Sequence, residues 1–250
     1  MKKSALTFDV DWAPDWCVEM CMELCRQYQF PATYFITHPS NLIDELGSDP
    51  LFEVGIHPNF LSSSTHGSKF DEVMEYCLRL APNARAMRTH SLVQSSVLYA
   101  EICDSYPNIE IDVSLLLPLH PGLQPTELHL GESKRRLIRI PYFWEDDIVA
   151  LDPNWEWNLP TPPSTGLRVF DFHPTFIALN IDTLDGYDAL KGELSGRPLF
   201  EATRSQFSRH ENFGLGARTF FEALLADESK EEFCTISKLG QLYKMKLEDK

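Results

Sequence analysis

The sequence predicts an α/β protein folded as a distorted (β/α)7-type barrel, with one domain over residues 1–250. Three observations lead there. Strand-like and helix-like patterns alternate from residue 4 to 190, the order that builds a parallel sheet. About seven strand segments fit into a chain of 250 residues and 28.7 kDa, the usual size of such a barrel. Polar and metal-ligating side chains also fall at the C-terminal ends of these segments, the end on which barrels gather their active sites.

The first strand is read in LTFDVDW, residues 6–12, where Leu6, Thr7, Phe8 and Val10 suit a buried pleated segment and Asp9 and Asp11 stand at its far end. Residues two apart on a strand point the same way, so the two carboxylates are expected to converge, and a cation between them would relieve their repulsion. Pro14 opens a helix whose apolar face is Cys17, Met20, Cys21, Leu24, Cys25 and Tyr28, ending before Pro31. Strand two is residues 33–37. A short helix over 41–46 meets Gly47, and strand three, 53–57, ends on His57. The polar SSSTHGSK, which holds His66, is a loop, and the spacing of Phe70, Val73, Met74, Cys77, Leu78 and Leu80 predicts a helix up to Pro82.

Residues 86–90 read as strand four, carrying Arg88 and His90, and Val93, Val97, Leu98, Ile102 and Cys103 have helical spacing. Strand five is 109–113. Three prolines and a glycine keep 117–125 irregular. Strands at 136–141 and 167–172 flank a Trp- and Pro-rich loop containing WEWNLPTPP, and the last strand ends on His173. Helices at 182–190 and 219–226 and a weakly helical end complete the chain, so the part bearing the candidate residues is about 4–180 and the helical remainder about 181–250.

A net charge of −15, from 37 acids against 22 bases, argues against nucleic acid and anionic membrane surfaces as partners. No run of 18 apolar residues suggests an integral membrane segment. The first residues carry no apolar signal core, and the six cysteines lack zinc-type spacing, so packed free thiols in a reducing cytoplasm are expected.

Carboxylate and imidazole groups suit zinc and other borderline divalent metals, and three protein ligands with an open position suit hydrolysis. Asp11 and His57 are the first two candidate ligands, with His66 or His90 as the third. Asp9 would then be the base, Arg88 would hold it ionised, and His173 would protonate a leaving amine. An acid of the Glu145, Asp146, Asp147 cluster is the expected partner of His173, with Asp147 carried among the catalytic candidates. Tyr142, Phe143, Trp144, Trp155 and Trp157 are candidates for stacking on a sugar ring or for core.

The order of these segments resembles that of the NodB-type polysaccharide deacetylases, carbohydrate esterase family 4. The family's TFDD motif is matched by Thr7-Phe8-Asp9-Val10-Asp11 with one residue inserted, and the first histidine of its HxxxH motif by His57, with Leu61 at the second. Its arginine motif is matched at Arg88, Arg139 being the other candidate, and its closing histidine at His173 in FDFHPTF. Together FDVDW, GIHPNF, RTHSL, RIPYFWEDD and FDFHPTF look most like the WbmS-like subgroup found with O-antigen and lipopolysaccharide biosynthesis genes. The resemblance implies a divalent cofactor, zinc before cobalt, nickel or iron, and removal of acetyl groups from an N-acetylated sugar, sugar nucleotide or lipid-linked glycan. Two other readings stay open: a non-catalytic barrel that binds a glycan, kept alive by Leu61, and an amidase acting on a small C–N bonded substrate.

Overall fold

A computed structural model describes residues 3–133, 135–158 and 165–248. Among them nine strands form one sheet: β1 (Lys3–Asp9), β2 (Ala32–Ile36), β3 (Phe52–Ile56), β4 (Ala86–Met87), β5 (Ile111–Asp112), β6 (Thr126–His129), β7 (Arg136–Arg139), β8 (Trp144–Glu145) and β9 (Leu167–Phe172). Their order is β6-β7-β5-β4-β3-β2-β1-β9-β8, parallel throughout except for the antiparallel β6–β7 pair. The sheet is open at β6 and β8, so the distorted barrel is a curled half-barrel. The seven expected strands are all present. The two further ones escaped the sequence reading for physical reasons: β6 is an edge strand without a buried face, and β8 is two residues long and runs straight into a helix.

The helices are α1 (Asp15–Tyr28), α2 (Ile43–Ser48), α3 (Phe70–Leu80), α4 (Ser96–Ser105), α5 (Asp146–Ala150), α6 (Pro174–Leu179), α7 (Asp185–Leu194), α8 (Arg204–Phe207), α9 (Ala217–Asp227) and α10 (Ile236–Glu248). α1 starts after Pro14 and stops where Gln29 turns left-handed, its N–H closing on the carbonyls of Arg26 and Cys25. The buried face of α1 is Cys17, Val18, Cys21, Met22 and Cys25, rotated from the expected one toward Val18 and Met22. All six cysteines are free thiols. No helix among the described residues is long and apolar enough to cross a membrane.

β1 sits between β2 and β9, and every residue from Ser4 to Asp9 is buried. The core around it is aromatic. Trp144 stacks on Phe220 at 4.8 Å and meets Phe172 at 4.8 Å, while Phe8 stacks on Tyr34 at 4.6 Å. Tyr142, Phe143, Trp144 and Trp157 are buried in this core, which assigns them to packing rather than to a sugar platform. Residues 159–164 of the Trp- and Pro-rich loop lie outside the described residues.

Candidate metal centre and active site

Two backbone turns build the centre. β1 ends at Asp9, and although the Val10 N–H still reaches the Phe35 carbonyl at 3.1 Å, Asp11 and Trp12 then take φ of 44° and 55°. The carboxylates of Asp9 and Asp11 therefore converge through a left-handed turn, not through the alternation of a continuous strand. Such φ costs an ordinary residue roughly 1–2 kcal/mol, here offset in part by the Trp12 N–H bonding Thr37 Oγ1 at 3.0 Å. β4 likewise stops at Met87, earlier than the expected residue 90, and His90–Leu92 form a 3-10 turn in which Ser91 and Leu92 have φ of 53° and 52°. That turn swings His90 over Asp11.

Three donors meet there. His57 Nε2 lies 3.2 Å and His90 Nδ1 3.1 Å from Asp11 Oδ1, and the two ring nitrogens are 3.3 Å apart. Ligands bound at 2.0–2.2 Å to a tetrahedral or octahedral ion stand about 3.0–3.5 Å from one another, so one carboxylate oxygen and two imidazole nitrogens at these spacings fit a divalent cation. Burial alone would raise the Asp11 carboxyl, but the His57 and His90 rings bonded to it hold it well below the usual carboxylate range. His66 lies outside this group. Its Nδ1 accepts the Asn59 N–H at 3.1 Å, its ring stacks on Tyr76 at 4.7 Å, and burial pushes it down to about 4.

Behind the centre lies a second group, Asp9, Glu145, Asp171 and His173, all buried. It already has a cation: the fully buried Arg88 donates from Nη1 to Asp9 Oδ1 at 2.8 Å and also to Asp171 Oδ1. Arg88 Nη2 reaches Thr7 Oγ1 at 2.9 Å, and the Thr7 hydroxyl donates to Asp171 Oδ1 at 2.8 Å across the β1–β9 register pair Thr7–Asp171. The guanidinium also lies over Tyr142 and Phe35 at 4.4 and 4.8 Å. Burial raises the Asp171 carboxyl well above its usual range, while Arg88 stays charged. Arg139, the other candidate for the arginine motif, instead bonds Asp112 Oδ2 at 2.8 Å on the far side of the sheet order.

A mutation here has a clear expected cost. Arg88→Met leaves Asp9 and Asp171 buried without their cation and is expected to lower stability by about 3–5 kcal/mol. Urea unfolding followed by circular dichroism measures it, and a loss under about 1 kcal/mol would mean that the pair is hydrated or protonated instead.

His173 closes the cleft. It follows β9 and precedes Pro174, the first residue of α6, and its ring is held by Asp146: Nδ1 lies 2.6 Å from Oδ1, and its backbone N–H donates to Oδ2 at 2.8 Å. Burial alone would lower the ring, and the Asp146 carboxylate raises it well above the ordinary histidine range. Nε2 is thereby turned toward Asp11, 3.6 Å from Oδ2. The acid at His173 is thus Asp146, and not Asp147, which lines the neighbouring cavity.

The family model described as WbmS-like polysaccharide deacetylase matches residues 6–191. The chain belongs to this family. Among solved structures it is similar to a Bordetella bronchiseptica protein described as a polysaccharide deacetylase involved in O-antigen biosynthesis, at 32% identity and TM-score 0.77 over 90% of each chain. The Xyl-CE4 domain of a multidomain xylanase from the hindgut metagenome of Trinervitermes trinervoides is more distant, at 15% identity and TM-score 0.47, covering 98% of this chain and 92% of that one. A family 4 pseudoenzyme from Bacillus anthracis matches at 13% and TM-score 0.42, over 95% of this chain and 65% of that one. No curated protein matches the chain.

Within this deacetylase family member, sequence reasoning missed Asp171 and Thr7. The signal was present, because a polar residue inside a fully buried strand such as LRVFDF needs a buried partner. The partner, Arg88, is 83 residues away and was invisible without the sheet order.

Proposed function

We propose that this protein is a metal-dependent deacetylase that removes the acetyl group from an N-acetylated sugar in the biosynthesis of a surface polysaccharide such as O-antigen. The observation that carries this is the placing of Asp11, His57 and His90 within hydrogen-bond distance of one another, between Asp9 on Arg88 and His173 on Asp146. The description of the 32% identical Bordetella protein supports the pathway.

Asp11, His57 and His90 would hold the cation, zinc by preference of the donor set, with cobalt, nickel or iron as the other candidates. Once bound, it supplies Lewis acidity toward the acetamide carbonyl and lowers the pKa of water. The remaining chemistry belongs to the chain. Asp9, aimed by its bond from Arg88, takes a proton from the water that attacks the carbonyl carbon. His173, held protonated by Asp146, gives its Nε2 proton to the sugar nitrogen as the C–N bond breaks, so that acetate and a free amine leave. Arg88 and Asp146 are positioning residues, each bonding the acid or base that acts.

The substrate is an acetamido sugar, free, nucleotide-linked or lipid-linked, met in the cytoplasm. The test is acetate release from such sugars by the purified protein, with chelator controls. Equimolar acetate and new amine, abolished by chelation and restored by divalent metal, is the expected result. Release that persists after the metal is removed would overturn the mechanism.

A further inference from the structure

Asp112 and Arg139 belong to neither group of the centre, yet a chain of buried bonds runs from them to it. β4, β5 and β7 are adjacent and in register, with Met87 beside Asp112 and Asp112 beside Arg139. Arg139 Nε therefore donates to Asp112 Oδ2 at 2.8 Å, and the Tyr99 hydroxyl donates to the same oxygen at 3.2 Å. The other oxygen, Oδ1, accepts from the Ser114 hydroxyl at 2.6 Å. With its proton given to Asp112, Ser114 Oγ faces the Thr89 N–H as an acceptor, at 2.9 Å. Thr89 is the residue before His90.

The far end of the His90 turn is tied to the same serine. Gln94 Nε2 donates to the Ser114 carbonyl at 3.2 Å, and Gln94 Oε1 accepts from Arg139 Nη2 at 2.8 Å. Between the two ties Ser91 and Leu92 stand left-handed, and neither is a glycine. Such a backbone persists only where its surroundings over-determine it. Thr89, Asp112 and Ser114 are fully buried, so a lost bond among them is not readily replaced by water.

We infer that Arg139, Asp112 and Ser114 are positioning residues of the metal centre, a clamp on the turn that carries His90 to Asp11. The inference rests on the reading of Asp11, His57 and His90 as metal ligands and adds the residues on which the third ligand depends. It gives Arg139, the first residue of RIPYFWEDD, a task separate from that of Arg88: Arg88 aims Asp9, and Arg139 acts through Ser114 on His90.

Zinc affinity, measured by competition with a chromogenic chelator, and hydrogen exchange of the metal-free protein test this. Ser114→Ala and Arg139→Gln are each expected to weaken zinc binding by about 10- to 100-fold. Ser114→Ala added to His90→Ala should change the affinity by less than about threefold, because a residue that acts through His90 has nothing left to position. Without metal, the amides of residues 89–93 should exchange at least about tenfold faster in Ser114→Ala, with those of β1 unchanged. Arg168→Gln is the control for a merely structural effect. It breaks a bond to Glu228 Oε2 of 2.7 Å at the start of β9, the end of the parallel sheet away from His90, and should lower stability while zinc affinity stays within about threefold. Zinc affinity unchanged in Ser114→Ala, equal losses with and without His90, or a comparable loss in Arg168→Gln would each overturn the inference. A parent that binds no divalent ion would remove the metal reading alone. Exchange at residues 89–93 would then decide the clamp, a rate in Ser114→Ala equal to the parent's overturning it.

Discussion

Asp9→Asn is expected to lower kcat by about 100- to 10,000-fold while the metal content and the fold stay as they are. Asparagine keeps the shape of the side chain and can still face Arg88, but it cannot take a proton. Asp9 is suited to the role because its Oδ1 accepts from Arg88 at 2.8 Å while its Oδ2 stands 3.6 Å from His57 Nε2, close to the metal centre without belonging to the group of three donors. Arg88 keeps Asp171 as a partner in the variant, so the buried cation is not stranded. Steady-state acetate release gives kcat, and elemental analysis gives the metal. A variant that retains activity within about tenfold would remove Asp9 as the base and shift attention to His173 or Glu145.

The sequence made β1 and both histidine-bearing strand ends legible because buried parallel strands are written as short apolar runs and their ends as sudden polarity. FDVDW, GIHPNF and FDFHPTF each show that change. It could not choose between His66 and His90, because the choice depends on a turn. Ser91 and Leu92 adopt φ above 50° with no glycine to announce it, and that turn, not the strand, carries His90 to Asp11. His66 was equally plausible by composition, but its Nδ1 accepts the Asn59 N–H, its ring lies on Tyr76, and it stays outside the group that meets at Asp11. The departure at Leu61 from the HxxxH pattern is met in the same way, since His90 brings a second imidazole to His57 from a different strand end.

The acids after Trp144 show the opposite limit. Three carboxyl groups in a row carry no sign of which one turns inward, and helix geometry decides: Asp146 begins α5 directly after β8 and bonds both the ring and the backbone of His173. Asp147, one position on, faces the cavity instead. The aromatic run around them was ambiguous between platform and core, and the depth of the sheet's second end settled it for Trp144, which packs against Phe172 and Phe220.

Bound metal reads the Asp11, His57 and His90 group itself. Purified untagged protein, the Asp11→Ala/His57→Ala double variant, His90→Ala and His66→Ala are each loaded with zinc, desalted and analysed for bound metal. The parent is expected to hold about one equivalent, the double variant none, and His90→Ala to bind at least about tenfold more weakly, since a three-ligand site loses most of its affinity with one ligand. His66→Ala should match the parent, because His66 lies outside the group of donors. A parent that binds no divalent ion even in excess, or a double variant that binds as well as the parent, would contradict the assignment of Asp11, His57 and His90 and with it the hydrolytic mechanism.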